Sequence, residues 1–363
     1  MNVLLGLLTP LIAYTAITLL HAIIPSRRRP GYVTNQATGQ VLTYRTNGKW
    51  VLAASVILWF VLGVTHLVPF TWLYDTRWWG LVGAVIVGLV FSFVVVLRHP
   101  STGKSFLADL WLGRAKDVQL RDGFMDAKVW LYLVGAVLLQ LNVLSCAAEH
   151  LERFSRSGGQ SVNPGFLLAC AMLTWFCCEY LIFERVHLWT YDFIAERVGF
   201  KLGFGCLAFY PYFYAVALWF TAALPNPGVP IWVTVLFGVL FLGGWVLTRG
   251  ANMQKFFFKT RPEQRFLWIA PQSISDGTHS LLVNGFWGGS RHINYLGEII
   301  QAVAIALATG YFGVWEVWLY PLYYVALFIG RQADDDKVCR AKYGALWDQY
   351  TAKVRYRIVP GIY

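Results

Sequence analysis

The sequence predicts an all-α, polytopic integral membrane protein with about nine to ten transmembrane helices, and three observations lead there. Of the 363 residues, 57% are hydrophobic and only 13% are charged, against about 25% charged in a soluble domain. The apolar residues gather into runs near the roughly 20 residues that carry a helix across a hydrocarbon core about 30 Å thick. Lysine and arginine fall almost entirely in alternate loops between those runs. Backbone in lipid has to satisfy its own hydrogen bonds, so the runs are read as helices and not as open strands.

The first run, Val3 to Ile24, is longer than a signal-peptide core and lacks a small-residue cleavage site, so it is read as a retained helix. Trp50 to Pro69, Trp79 to Leu97 and Val129 to Ala147 follow, rich in Leu, Val and Ala, with Asn142 and Ser145 as the main polar interruptions. Gly165 to Glu184 and Gly203 to Ala222 come next, and then a tight turn built from Pro225, Pro227, Gly228 and Pro230. The last three are Pro230 to Thr248, Tyr295 to Tyr311 and Val314 to Gly330, while the weaker stretch from Val186 to Phe200 offers a tilted or re-entrant tenth piece. Charged and aromatic residues crowd the later runs. The chain is therefore divided into N-terminal transmembrane helices, residues 1–164, and a C-terminal region, residues 165–363, where chemistry is expected.

A formal charge of +11 raises the question of nucleic acid, and the distribution answers it. Lys and Arg divide 27 to 3 between the two sets of loops, the minority being Arg77, Arg153 and Arg156. That split is the positive-inside bias of a membrane protein, so the basic segments are expected in the cytoplasm and no nucleic-acid partner is expected. Of the cysteines, Cys146, Cys170, Cys177, Cys178 and Cys206 lie in the runs and Cys339 lies outside them. No CxxC or paired-His spacing is present, so apolar packing is expected for the thiols and no metal site is expected.

Three basic segments carry the candidate chemistry. The stretch LLVNGFWGGSRHINYLGE, from Leu281 to Glu298, sets Gly285, Gly288 and Gly289 beside Arg291, His292, Asn294 and Tyr295 at the start of a helix. Glycines permit close backbone approach, and a helix N-terminus favours an anion such as phosphate. An interfacial anchor would use the same residues. Before it, RGANMQKFFFK puts Lys255 and Lys259 four residues apart on one helical face, beside Arg249 and Asn252. After the last run come Arg331, Asp334, Asp335, Asp336, Lys342, Trp347 and Tyr350. Cations, a helix end and aromatic rings on one side of the membrane suit a nucleotide, with a lipid-headgroup patch as the plain alternative. Glu179, Glu184 and Glu298 are acids in or at the ends of the runs, with Tyr180 beside the first. Such acids are costly in lipid and usually functional, although Glu184 also sits where it could snorkel. A buried acid or phenol stays protonated and can donate. A proton donor beside a nucleotide site suggests reduction of a membrane-soluble substrate.

These residues resemble a known family. The Gly-Trp pair preceding RHxNYxG and an acid, the RGANxQK stretch, YDFIAERVGF from Tyr191 to Phe200, and the tail from Arg331 to Tyr363 are together similar to the sterol reductases. That family covers reductases of the sterol C14, C7 and C24 double bonds and the transmembrane part of the lamin B receptor. The resemblance extends over the second half; the first half matches in its span pattern and in the LNVLS stretch around Asn142, which leans toward the C14 members. It implies NADPH as cofactor and a sterol entering from the bilayer, with protonation of the alkene and hydride delivery to the resulting cation. Carried over by position, Lys255, Lys259, Arg331 and Tyr350 are implied as phosphate and ribose contacts. Trp287, Arg291, His292, Asn294 and Tyr295 would shape the nicotinamide end, and Asp335 with Tyr180 would deliver the proton. Three positions depart from the family's pattern: Cys206 stands where an acid is common, Asp334 where a basic residue is usual, and Gly361 where an aromatic closes the motif. The membrane would be the endoplasmic reticulum in a eukaryote and the inner membrane in a bacterium. Two other functions fit parts of the pattern: an isoprenylcysteine-type membrane methyltransferase, which usually has a proline where this chain has Ile293, and a non-catalytic sterol-binding scaffold.

Overall fold

A computed structural model describes residues 3–35, 38–121, 123–155 and 161–363; Arg156, counted above among the sparse outer cations, lies outside them. The chain forms two compact units, Met1–Pro227 and Gly228–Tyr363. Packing thus divides it after Pro227.

The first unit is organised by α1 (Val3–Ile23), α2 (Gly48–Val64), α3 (Arg77–Leu97), α4 (Ala127–Ser155), α5 (Pro164–Ile182) and a composite helix, α6, over Phe200–Thr221. Helix α4 is buried on nearly every face along Leu131–Leu139, as a helix at the centre of a bundle is. Its polar residues are spent on neighbouring backbone: Asn142 donates to the Pro211 carbonyl (3.0 Å), and Ser145 accepts the Tyr74 amide (3.0 Å). His150 Nε2 accepts the Asn163 amide (2.9 Å), which leaves the ring proton on Nδ1 to reach the Ala222 carbonyl (2.9 Å). In α6, Pro211 has no N–H for the Leu207 carbonyl four residues earlier. The ladder widens there into a π-turn over Gly205–Phe209, and the Tyr14 hydroxyl donates to Leu207 instead.

In the second unit, α7 (Ile231–Thr260) and α8 (Ile293–Ala308) pack closely, α9 runs over Leu319–Tyr343 and α10 over Ala345–Lys353. Two glycines allow the α7–α8 contact. A Cβ on Gly244 would lie 2.7 Å from the Gly297 carbonyl oxygen, so side chains here would force the backbones apart. Thr248, one turn on, donates to the Asn294 carbonyl (3.0 Å) and accepts from Gln301 (3.3 Å).

Among the described residues, six helices are both long and apolar enough to cross a membrane: Val3–Ile23, Arg77–Leu97, Ala127–Ser155, Pro164–Ile182, Phe200–Thr221 and Ile231–Thr260. The other expected spans fall short for separate reasons. Helix α2 stops at 17 residues because His66 turns left-handed (φ 58°), with its amide on Gly63 and that of Leu67 on Leu62 (3.0 and 3.1 Å). That reciprocal pair is the Schellman arrangement. Helix α8 is 16 residues, closed by Gly310 at φ 77°. Helix α9 is long, but from Arg331 onward it is charged. The stretch proposed as a re-entrant tenth piece forms two single turns, Glu184–His187 and Tyr191–Ile194. Small antiparallel ribbons, the largest pairing Arg28–Thr34 with Val41–Arg45, complete the described structure.

Glu184 just past α5 has a structural task, accepting the Gly48 amide (3.0 Å) at the start of α2. Burial pushes its carboxyl up to about 8, with the Gly48 amide and Lys49 acting the other way. The folded protein therefore holds this proton more tightly than the unfolded chain, so stability falls as pH rises from the ordinary carboxylate range through about 8. Glu184→Gln keeps an acceptor for Gly48 and cannot ionise. Melting curves in detergent are expected to show a Tm several degrees above wild type at about pH 8.5 and little change at about pH 5; an equal shift at both would contradict this account.

Candidate functional site

The candidate site lies in the second unit and begins with a turn pinned onto α7. Gln254 is buried on that helix, accepts the Phe286 amide through Oε1 (3.0 Å) and donates to the Asn284 carbonyl (3.3 Å). Gly285 sits between them at φ 67°, where a Cβ would collide with the Gln254 side chain. The Trp287 indole then donates to the Ala251 carbonyl (2.8 Å), and the Lys255 ammonium lies 5.2 Å from its ring centroid. So the GFW portion of the motif is fixed to the half of α7 that carries the lysines.

The next residues are sewn to the segment 354–363. Amides of Arg291 and His292 donate to the carbonyls of Tyr356 and Arg357 (2.9 and 2.8 Å), and the Ser290 hydroxyl to that of Ile358 (2.9 Å). The Arg291 side chain, only 6% exposed, reaches the Val354 and Arg355 carbonyls (3.2 Å each) with one nitrogen and the Asp336 carboxylate (3.5 Å) with the other. Gly361, at φ 83°, reverses the chain so that the Tyr363 carbonyl accepts the amides of Arg357, Ile358 and Val359. Glycine at this position is thus a turn requirement of this chain.

Beyond Arg291 the rings of His292, Tyr295 and Phe328 form a stack, with centroids 4.8 and 4.4 Å apart and interplanar angles of 6° and 8°. At its edge stands Asp335, 17% exposed, 3.4 Å from the Tyr295 hydroxyl, which donates to it, and 3.8 Å from His292 Nδ1. Burial, and then the cations Lys255, Arg291, Arg331 and Arg357, hold the imidazole down at about 3. His292 is neutral near pH 7, so its approach to Asp335 is not an ion pair.

The cations exceed the acids. Arg331 lies 5.9 Å from the Tyr295 centroid. Lys259 is exposed one turn along α7 from Lys255. Arg291 Nε, His292 Nε2 and Asn294 Oδ1 are buried with no hydrogen-bond partner among the described residues. Unspent polar atoms beside stacked rings and gathered cations suit an anionic ligand with a flat ring.

Lys255, Lys259, Trp287, Arg291, His292, Asn294, Tyr295, Arg331 and Asp335 therefore all fall within one unit. Tyr350 belongs to it too, buried with Trp347 and Val354 in an aromatic cluster against Cys339 and Tyr343, where burial raises its hydroxyl pKa. Tyr180 lies in the first unit on α5, stacked on His187 (centroids 3.9 Å apart), its hydroxyl buried without a partner among the described residues. Asp334 is mostly exposed and pairs with Lys337 (3.7 Å) on the surface. Sequence reasoning missed Gln254, Gln332, Arg357 and Tyr363. Each lies in a stretch already singled out, Gln254 in RGANxQK and the other three in the tail from Arg331 to Tyr363, but only the Gln332–Asp336 spacing of four hinted at a contact.

Comparison with known proteins gives a consistent result. A family model described as the ergosterol biosynthesis ERG4/ERG24 family matches residues 9–363. The chain is 30% identical to a Delta(14)-sterol reductase of Arabidopsis thaliana, covering 90% of this chain and 88% of the relative. It is 30% identical to a Delta(14)-sterol reductase of Methylotuvimicrobium alcaliphilum (90% and 76% covered) and 32% identical to Delta(14)-sterol reductase TM7SF2 of Mus musculus (89% and 77%).

Proposed function

The chain belongs to the ergosterol biosynthesis ERG4/ERG24 family, and from that membership we propose that it is an NADPH-dependent reductase of the Δ14 double bond of a sterol drawn from the bilayer. The observation that carries the proposal is the near full-length match to relatives named for that activity. NADPH suits the second unit, whose unspent buried polar atoms adjoin a ring stack and an excess of cations. In this reading Lys255, Lys259 and Arg331 hold phosphates, Tyr350 contacts a ribose, and Trp287, Arg291, His292, Asn294 and Tyr295 shape the nicotinamide end. When bound, NADPH supplies a hydride.

The remaining chemistry belongs to this chain's residues. Asp335 in its protonated form delivers a proton to an alkene carbon of the sterol, leaving a tertiary cation on the substrate; Tyr180 is its proposed partner. An alkene is a weak base, so the acid has to be held close, and the ring stack keeps out the water that would trap the cation. Neutral His292 adds no competing acid. We also propose that α2, α8 and the apolar part of α9 cross the bilayer, giving nine spans, and that the site faces the cytoplasm, in keeping with the distribution of basic residues.

Mass spectrometry of products tests the activity. Purified protein with NADPH and a mixture of 8,14-diene, 5,7-diene and side-chain-unsaturated sterols is expected to add two mass units to the 8,14-diene. Gain on another sterol would move the regiochemistry to C7 or C24. Binding of S-adenosylmethionine with no reduction would replace the proposal by the methyltransferase, and sterol binding without either by a scaffold.

A further inference from the structure

Four side chains in the second unit close a ring of three hydrogen bonds and one ion pair. Gln332 Nε2 donates to Asp336 Oδ2 (2.8 Å), and the same oxygen lies 3.5 Å from Arg357 Nε. Arg357 Nη1 donates to the Tyr363 hydroxyl (3.1 Å), which donates in turn to Gln332 Oε1 (3.0 Å). Each member is thereby held by two others, and Asp336 also takes Arg291. Gln332 is 1% exposed, so its amide has little water to fall back on.

The ring's place on α9 gives it a consequence. Gln332 and Asp336 are one turn apart, and Arg331 and Asp335 are one turn apart on the adjoining face, each a single residue earlier. Fixing the first pair to the 354–363 segment fixes the azimuth of the second. That segment is in turn bonded through its backbone to Ser290, Arg291 and His292, so one strap holds α9 and the His292 end of the ring stack together. A charged helical extension has little intrinsic stability of its own to hold such an angle.

We propose that the ring Gln332–Asp336–Arg357–Tyr363 positions Arg331 and Asp335 for cofactor and substrate, with Tyr363 as the positioning residue that closes it. This rests on the reductase reading. Tyr363 is 43% exposed, so Tyr363→Phe removes one hydroxyl without opening a core. The test is the Kd of NADPH for the full-length purified protein, from quenching of tryptophan fluorescence, beside its Tm. The variant is expected to bind NADPH about tenfold more weakly, with Tm changed by no more than about 2 °C. Gln332→Met, which opens the ring from the opposite side at similar volume, is expected to shift Kd the same way. If wild type binds NADPH and both variants bind it equally well, or if Tm falls while the folded fraction keeps its affinity, the strap is merely structural and the inference is overturned. If wild type does not bind NADPH, the reductase reading falls and takes the inference with it.

Discussion

Asp335→Asn is expected to lower sterol reduction about 10³-fold while leaving NADPH affinity within about threefold of wild type. Asparagine has the size of aspartic acid and still offers an oxygen to the Tyr295 hydroxyl, now 3.4 Å from the carboxylate, so the ring stack should survive. What it lacks is an acidic proton. Positioned general acids contribute about 10²- to 10⁴-fold, and the weak basicity of an alkene argues for the upper part of that range. Asp335 is partly exposed, and a melting curve separates loss of the fold from loss of the proton. Turnover above about a tenth of wild type would remove Asp335 from the role and pass it to Tyr180.

Arg291→Met should have the largest effect on stability. It keeps the side-chain volume but strands the Val354 and Arg355 carbonyls and one partner of Asp336, all at a side chain that is 6% exposed. Removing one member of a buried pair costs about 3–5 kcal/mol. Arg357 remains beside Asp336, so the lower end of that range applies, corresponding to a fall in Tm of about 4 °C for a chain of this length. Arg291→Lys is expected to recover only part, because an ammonium lacks the planar fork that serves carbonyls and carboxylate at once. A wild-type Tm in the methionine variant would mean that these contacts contribute little.

The sequence made the membrane class legible because lipid imposes length and apolarity on every span. It made the basic segments legible too, since Lys255 and Lys259 need only helical spacing to share a face, and α7 supplies it. The span count was less legible. Apolarity alone does not reveal that His66 turns left-handed and ends α2, or that α9 continues as a helix beyond Gly330 through Arg331 and Asp335. Glu184 looked like an intramembrane acid or a snorkelling side chain, and its partner, an amide 136 residues away, is a tertiary fact. The ring of Gln332, Asp336, Arg357 and Tyr363 was hidden for the same reason: only the reversal at Gly361 brings Tyr363 back to α9.

Helix α7 passes without interruption from apolar residues to Lys255 and Lys259, and its 30 residues make a rod about 45 Å long. No loop lies between them to absorb a change of angle. A bilayer thicker or thinner than the apolar portion makes such a helix tilt, and a tilt of about 10° about its middle swings the lysine end by about 4 Å. That is more than a phosphate contact tolerates. The surrounding lipid would then act on this site as a mechanical load, and acyl-chain length would tune cofactor affinity without touching a residue of the site.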